Sequence, residues 1–289
     1  MNFARIAWVA VLGMVFAVAL DHEPAQSENP PSVQSKEWVR TVRLSVRVEG
    51  DGSDAYLELP LPPTDAHQEI LSEKLEPRGF EVEEVERDGN RIAILTHPAF
   101  TGRKRITYEF TARVRPTVEE VPKVPVSAED PPREDWLWLR PTKQLQSASP
   151  LIREKLIEFA RPRLAAGDDD ALRLAWDLVD EGYRYKADGS RTVLKATRTG
   201  HASDRGQERL FATFLRTSGV PARPVFGIDL ARKAKTRSTI WNEVKVDGQW
   251  IPMSVSRELW GELPARYLKI FHADRPFLVR EGIESLSFR

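Results

Sequence analysis

No cysteine occurs in the 289 residues. That absence excludes disulfides, cysteine-ligated zinc and any thiol nucleophile at one stroke. Net charge is missing too: 43 basic side chains stand against 43 acidic ones. No global field therefore points to nucleic acid, and no nucleic-acid-binding motif is present. Histidine is scarce, and His22, His67, His97, His201 and His272 never pair at the spacing of one helix face, so no histidine metal site is expected. Asp168–Asp170 lacks the remaining spacing of a calcium loop and reads as an acidic helix start. No metal and no cofactor is expected. A hydrophobic content of 41% with 30% charged residues describes an ordinary globular chain, long enough for two modest domains.

One long apolar run is present. It spans Ile6 to Leu20, follows Arg5 and contains a small-residue cleavage pattern at Ala17–Ala19. Residues 1–20 thus read as a signal peptide or a membrane anchor. The expected location is outside the cytoplasm, periplasmic or tied to the inner membrane by that segment. Residues 21–36 are polar and proline-bearing, which suits a flexible linker.

From residue 37 to 117 the pattern has period two. Trp38, Val42, Leu44, Val46 and Val48 share one parity, and Asp51–Gly52 turns the chain into Ala55–Leu61. Phe80–Val85 turns at Asp88–Asn90 into Ile92–Leu95, and Ile106, Tyr108, Phe110, Ala112 and Val114 share a face. This predicts a small β-sandwich in which His67 and His97 are loop histidines. Prolines recur over 118–134, the expected linker.

Residues 135–260 change period. Ser149–Pro150 is a helix start, with Leu151, Ile152, Leu156, Ile157, Phe159 and Ala160 on one face until Pro162. Asp168–Asp170 caps a second helix that ends at Gly182. A third helix begins near Ser203 or Asp204, carries Leu210, Phe211, Phe214 and Leu215, and stops at Gly219. Asp204 with Gln207 has the form of a capping box. Strands Ile240–Val246 and Gln249–Met253 form a hairpin over Asp247–Gly248. Residues 261–289 form a C-terminal extension with strand-like apolar content.

The order Gly200–Asp204, a helix ending in Arg216, Gly219-Val-Pro-Ala-Arg223, then Thr239-Ile-Trp-Asn-Glu243 and Trp250-Ile-Pro-Met-Ser254 resembles the core of the transglutaminase-like superfamily, relatives of papain-type hydrolases. The resemblance implies an α+β fold, with helices packed on an antiparallel sheet behind the β-sandwich. It also implies where a catalytic cysteine, histidine and aspartate would stand. The cysteine position, twelve residues before Arg216, holds Asp204; the histidine position holds Thr239; the aspartate position holds Ser254. All three are replaced, so the expected protein is a pseudoenzyme.

A closer resemblance is to bacterial inactive transglutaminase domains fused to seven membrane helices, whose tail Tyr267–Val279 is similar to, here without those helices. The partner expected is a peptide or an envelope protein, including a separate membrane protein. Trp241, Glu243 and Trp250, with the basic loop Arg232, Lys233, Lys235 and Arg237, would line the former cleft. Two alternatives stay open at this point. One is a hydrolase using Ser203, His201 and Asp204; the other is a structural envelope protein docking through its β-domain.

Overall fold

A computed structural model describes residues 36–126, 132–231, 237–272 and 279–288. The expected signal or anchor segment, the loop at Arg232, Lys233 and Lys235, and residues 273–278 lie outside the described residues, as does the side chain of Arg237. Among the described residues no helix is long and apolar enough to cross a membrane.

The first six strands are β1 (Trp38–Asp51), β2 (Ala55–Leu61), β3 (Gln68–Glu76), β4 (Glu81–Arg87), β5 (Asn90–His97) and β6 (Thr101–Val114), followed by the short β7 (Thr117–Val118). The helical half holds α1 (Pro150–Ala165), α2 (Ala171–Gly182), β8 (Arg184–Ser190), α3 (Val193–Thr199), β9 (His201–Ala202) and α4 (Asp204–Thr217). Then come β10 (Ala222–Asp229), β11 (Arg237–Val246), β12 (Gln249–Ser254), β13 (Leu259–Trp260), β14 (Glu262–Leu263) and β15 (Tyr267–His272). The chain ends in β16 (Val279–Glu281) and β17 (Ile283–Phe288).

Period-two alternation has its expected consequence in β1 and β6. Val42, Leu44, Val46 and Val48 are buried against Ile106, Tyr108, Phe110, Ala112 and Val114. Two four-stranded sheets, β17-β1-β6-β3 and β16-β2-β5-β4, enclose that core as a sandwich. The last two strands return to the first two: β17 pairs with β1, and β16 with β2.

A five-stranded antiparallel sheet, β13-β12-β11-β10-β15, forms the second body of structure. One of its faces carries Ala222, Val244, Val246, Ile251 and Met253, packed on Leu210, Phe211, Phe214 and Leu215 of α4. At the β15 end of the sheet, Ile228, Leu268, Ile270 and Phe271 join the sandwich core instead, Ile228 standing on the same face as Ala222 by the β10–β11 register. Each large apolar side chain so buried contributes about 1.5–3 kcal/mol.

Three local expectations are corrected. Proline does not end α1: Pro162 lies inside the helix, which runs one further turn to Ala165. His97 is not a loop residue but the last of β5; His67 does lie in the loop before β3, its ring 5% exposed, with Nε2 at 2.7 Å from the Tyr267 carbonyl and Nδ1 at 3.0 Å from Thr117 Oγ1. The cap of α4 is Ser203, whose Oγ accepts from the Gly206 amide at 3.4 Å, so Asp204 is the first helical residue and closes no capping box. Gln207 instead donates from Nε2 to the Tyr183 carbonyl. Asp170, as expected, caps α2 by accepting from the Leu172 amide at 3.0 Å.

Candidate functional site: Asp204, Thr239 and Ser254

Helix α4 sets the site because its first turn is driven against β8 and β9. A side chain at Gly206 would place its Cβ 2.0 Å from the Ser190 carbonyl oxygen, so only glycine permits that approach. Ser203 Oγ fastens the same corner by donating to the Ser190 carbonyl at 3.3 Å. The far end is held by Arg216, 4% exposed, which donates from Nε to the Ala222 carbonyl at 2.8 Å and from Nη1 to the Arg140 carbonyl at 2.9 Å. Arg216 thereby ties the helix end to the Gly219–Arg223 turn, a physical reason for arginine at that place.

An alanine at a helical glycine ordinarily stabilises by about 1 kcal/mol. Here the sign should invert. Gly206→Ala is expected to destabilise by about 1–3 kcal/mol through overpacking, measured by urea unfolding; a higher midpoint would show that the contact yields.

Asp204 and Thr239 share no hydrogen bond with each other. Arg257 joins them. Its Nε donates to Thr239 Oγ1 at 2.9 Å, and its Nη1 lies 3.7 Å from Asp204 Oδ2. The arginine side chain is 21% exposed and that of Asp204 44%. The hydroxyl of Tyr185, an exposed residue, donates to Asp204, and the nearby carboxylate raises the phenol's pKa.

Ser254 is turned inward, fully buried, with its Oγ donating to Glu208 Oε1 at 2.8 Å. Glu208 lies one helical turn after Asp204 and has no exposed surface. It also accepts from the Ser256 amide at 2.9 Å, from Ser256 Oγ at 2.6 Å and, at Oε2, from Asn242 Nδ2 at 2.6 Å. Burial raises its pKa against the opposing hydrogen bonds from Ser256 and Ser254. Neither Glu208 nor Arg257 was singled out from sequence. Glu208 had a signal, since 208, 211 and 215 share a helix face and a charge on an apolar face demands partners. Arg257 had none.

The proposed cleft residues go elsewhere. Trp241 is 1% exposed and packs with Val225, Leu263 and Tyr267. Glu243 is 5% exposed and cannot meet a ligand from solvent as it stands. It is registered opposite Arg223, which donates from Nε at 2.9 Å and approaches from Nη2 at 2.7 Å. Lys269 forms a second ion pair with Glu243, and its Nζ also lies 2.6 Å from Asp65 Oδ2. Burial alone would raise the Glu243 pKa, but the Lys269 ammonium, with His272 and Arg223 behind it, holds it well below the usual range. Trp250 is half-buried beneath the Arg223 guanidinium, 3.8 Å from ring centroid to Cζ. The three are fold residues, because β11 alternation turns Trp241 and Glu243 to the sheet face opposite Asn242 and Val244, which meet α4.

The Ser203 and His201 side chains are not brought together. Ser203 Oγ is engaged at the helix start, and the His201 ring is 2.6 Å from the Thr199 carbonyl through Nδ1. Among the described residues no group of three or more metal-ligating side chains converges.

Residues 160–255 match the family model of the Transglutaminase-like superfamily. A solved structure from Cytophaga hutchinsonii, described as a "putative cysteine protease", superposes with a TM-score of 0.62 at 16% identity, covering 88% of this chain and 92% of that one. Another from Parabacteroides distasonis, described as a "putative protease", gives 0.29 at 12% identity over 82% of this chain and 48% of that one, below the range of a shared fold. No curated protein matches the sequence. The chain has a transglutaminase-like fold, and residues 160–255 carry its core.

Proposed function

We propose that this is a catalytically inactive transglutaminase-like protein of the bacterial cell envelope, retained to bind a peptide or another envelope protein. The observation that supports this reading is Arg257, standing between Asp204 and Thr239 where a nucleophile and its base would have to meet. Acyl transfer in such a fold needs a nucleophile activated by a neighbouring base and oriented by a third group. A carboxylate at 204 is a poor acyl nucleophile, a threonine hydroxyl at 239 is no base at neutral pH, and a guanidinium stays protonated. What remains is a folded surface on which Asp204, at the first turn of α4, and Tyr185, on β8, are presented to solvent. Export follows from reading residues 1–20 as a targeting segment.

Purified protein assayed on amide, ester and glycan substrates is expected to show no turnover above the buffer rate. Turnover lost on Ser203→Ala or Asp204→Ala would instead establish a relocated catalytic centre. Crosslinking in the native envelope, followed by mass identification, should return one recurrent peptide or protein partner at the exposed α4 start. Crosslinks confined to residues 37–117 would move the binding role to the β-sandwich.

A further inference from the structure

Strand β4 is an edge of the β16-β2-β5-β4 sheet and, among the described residues, pairs with β5 alone. The two-residue turn Asp88–Gly89, both at positive φ, makes Arg87 and Asn90 the closing hydrogen-bonded pair. Antiparallel alternation then turns the amides and carbonyls of Val82, Glu84 and Glu86 away from β5. Among the described residues nothing hydrogen-bonds to them.

Folded proteins ordinarily blunt such an edge. Here β3 carries a bulge between Ile70 and Ser72, and β16 and β13 are three and two residues long. Strand β4 has none of these devices. Its seven residues include no proline and no lysine, and their pairing with β5 runs without a shift of register. Exposure is continuous from Glu81 to Glu84, and Val82 is 42% exposed.

What β4 does carry is charge. Apart from Arg87, which pairs with Glu58, that charge is of one sign. Glu84 is engaged by Arg91, but Glu81, Glu83 and Glu86 form no ion pair among the described residues. A second copy laid along this edge would set glutamate against glutamate, which is destabilising across a sheet. A strand of the opposite sign would meet Glu81 and Glu83 on one face, two residues apart.

We propose that the free edge of β4 takes up a basic, extended segment of a partner protein as a fifth strand of its sheet. Main-chain bonds to Val82, Glu84 and Glu86 supply the affinity, and lysine or arginine at alternate positions opposite Glu81 and Glu83 supplies the selection. The site is on the sandwich, and it stands or falls independently of whether α4 is catalytically silent.

The test uses the full chain at low ionic strength and a synthetic peptide of alternating lysine and valine. The peptide should bind saturably by calorimetry and slow hydrogen exchange at the amides of Val82, Glu84 and Glu86. The same peptide with a fully N-methylated backbone keeps its charge and should bind at least tenfold more weakly. Glu81→Lys/Glu83→Lys should weaken binding of the parent peptide at least tenfold. Glu154→Lys/Asp180→Lys, an equal change of charge on exposed positions of α1 and α2, should stay within twofold. Val82→Pro removes an outward amide while leaving the β5 ladder whole, and should abolish binding in protein whose circular dichroism matches the wild type.

An N-methylated peptide within twofold of its parent would overturn the proposal, since charge alone would then explain the binding. So would a Glu81→Lys/Glu83→Lys variant within twofold of wild type, no saturable binding, or exchange protection at the start of α4 in place of β4. Wild-type self-association in sedimentation that Val82→Pro abolishes would assign the edge to a second copy and overturn it as well.

Discussion

Glu243→Ala should lower the unfolding free energy by about 3–5 kcal/mol, the usual cost of removing one partner from a buried ion pair. The carboxylate neutralises two cations that are themselves buried: Lys269, with 6% of its side chain exposed, and Arg223, with 12%. Truncation strands both in low dielectric, where an uncompensated charge is costly. Asp65 keeps one contact to Lys269, and the Trp250 ring keeps one to Arg223, so the loss should fall short of unfolding the chain.

A double-mutant cycle tests the mechanism. Lys269→Met should cost several kcal/mol in the wild type and much less once Glu243 is gone. Equal costs in both backgrounds would show that the two charges do not depend on each other.

The same cluster fixes the sign of the acid response. His67 and His272 are buried, and burial lowers both pKa values. The unfolded chain therefore takes up protons that the folded chain refuses, and stability falls as pH drops below about 6.5, the ordinary histidine value. Glu243 is also depressed, so its contribution is fully present above the ordinary glutamate value of about 4.3 and disappears as pH falls toward its folded pKa. Wild-type stability should decline in two stages on acidification. Glu243→Gln should keep the first stage and flatten the second, as read from urea midpoints across pH 3–7.

Local order was legible in the sequence where one period ran unbroken and a turn closed it. Ala55–Leu61 was bounded correctly because Asp51–Gly52 precedes it, and the Asp247–Gly248 hairpin because both flanking strands alternate. Register explains the Arg223–Glu243 pair: the two face each other directly across β10 and β11. Strand β3 was missed because it is an edge strand with a bulge between Ile70 and Ser72, which breaks the alternation. Helix α3 was missed because Val193–Thr199 is short and rich in β-branched residues. No local pattern could say that Ile283–Phe288 pairs with β1, since that contact spans nearly the whole chain.

At the site, Asp204, Thr239 and Ser254 were singled out by position, while the groups that engage them were not. Arg257 and Glu208 act through partners distant in sequence, Thr239 and Ser254 among them.

Placing at 254 the aspartate that the resemblance implies, Ser254→Asp, should destabilise the protein by about 3 kcal/mol, a fall in Tm of roughly 6–10 °C. The reason is Glu208. Its carboxylate already sits 2.8 Å from Ser254 Oγ in a fully buried setting, supplied by hydroxyl, amide and side-chain amide donors. A second carboxylate there removes a donor and adds a like charge, and two such groups at that separation cannot both ionise. Ser254→Ala removes only one hydrogen bond and should cost about 1 kcal/mol. If Glu208 is the obstacle, Glu208→Ala should make Ser254→Asp far better tolerated than it is alone, because the new acid could then accept from Ser256 and Asn242. A cycle over the two positions, followed by thermal melts at pH 7, decides it. Additive losses would mean that the strand serine and the helix glutamate are independent. Strong coupling would mean that this buried pocket holds one carboxylate, on the helix or on the strand, so that an aspartate at 254 requires changing Glu208 as well.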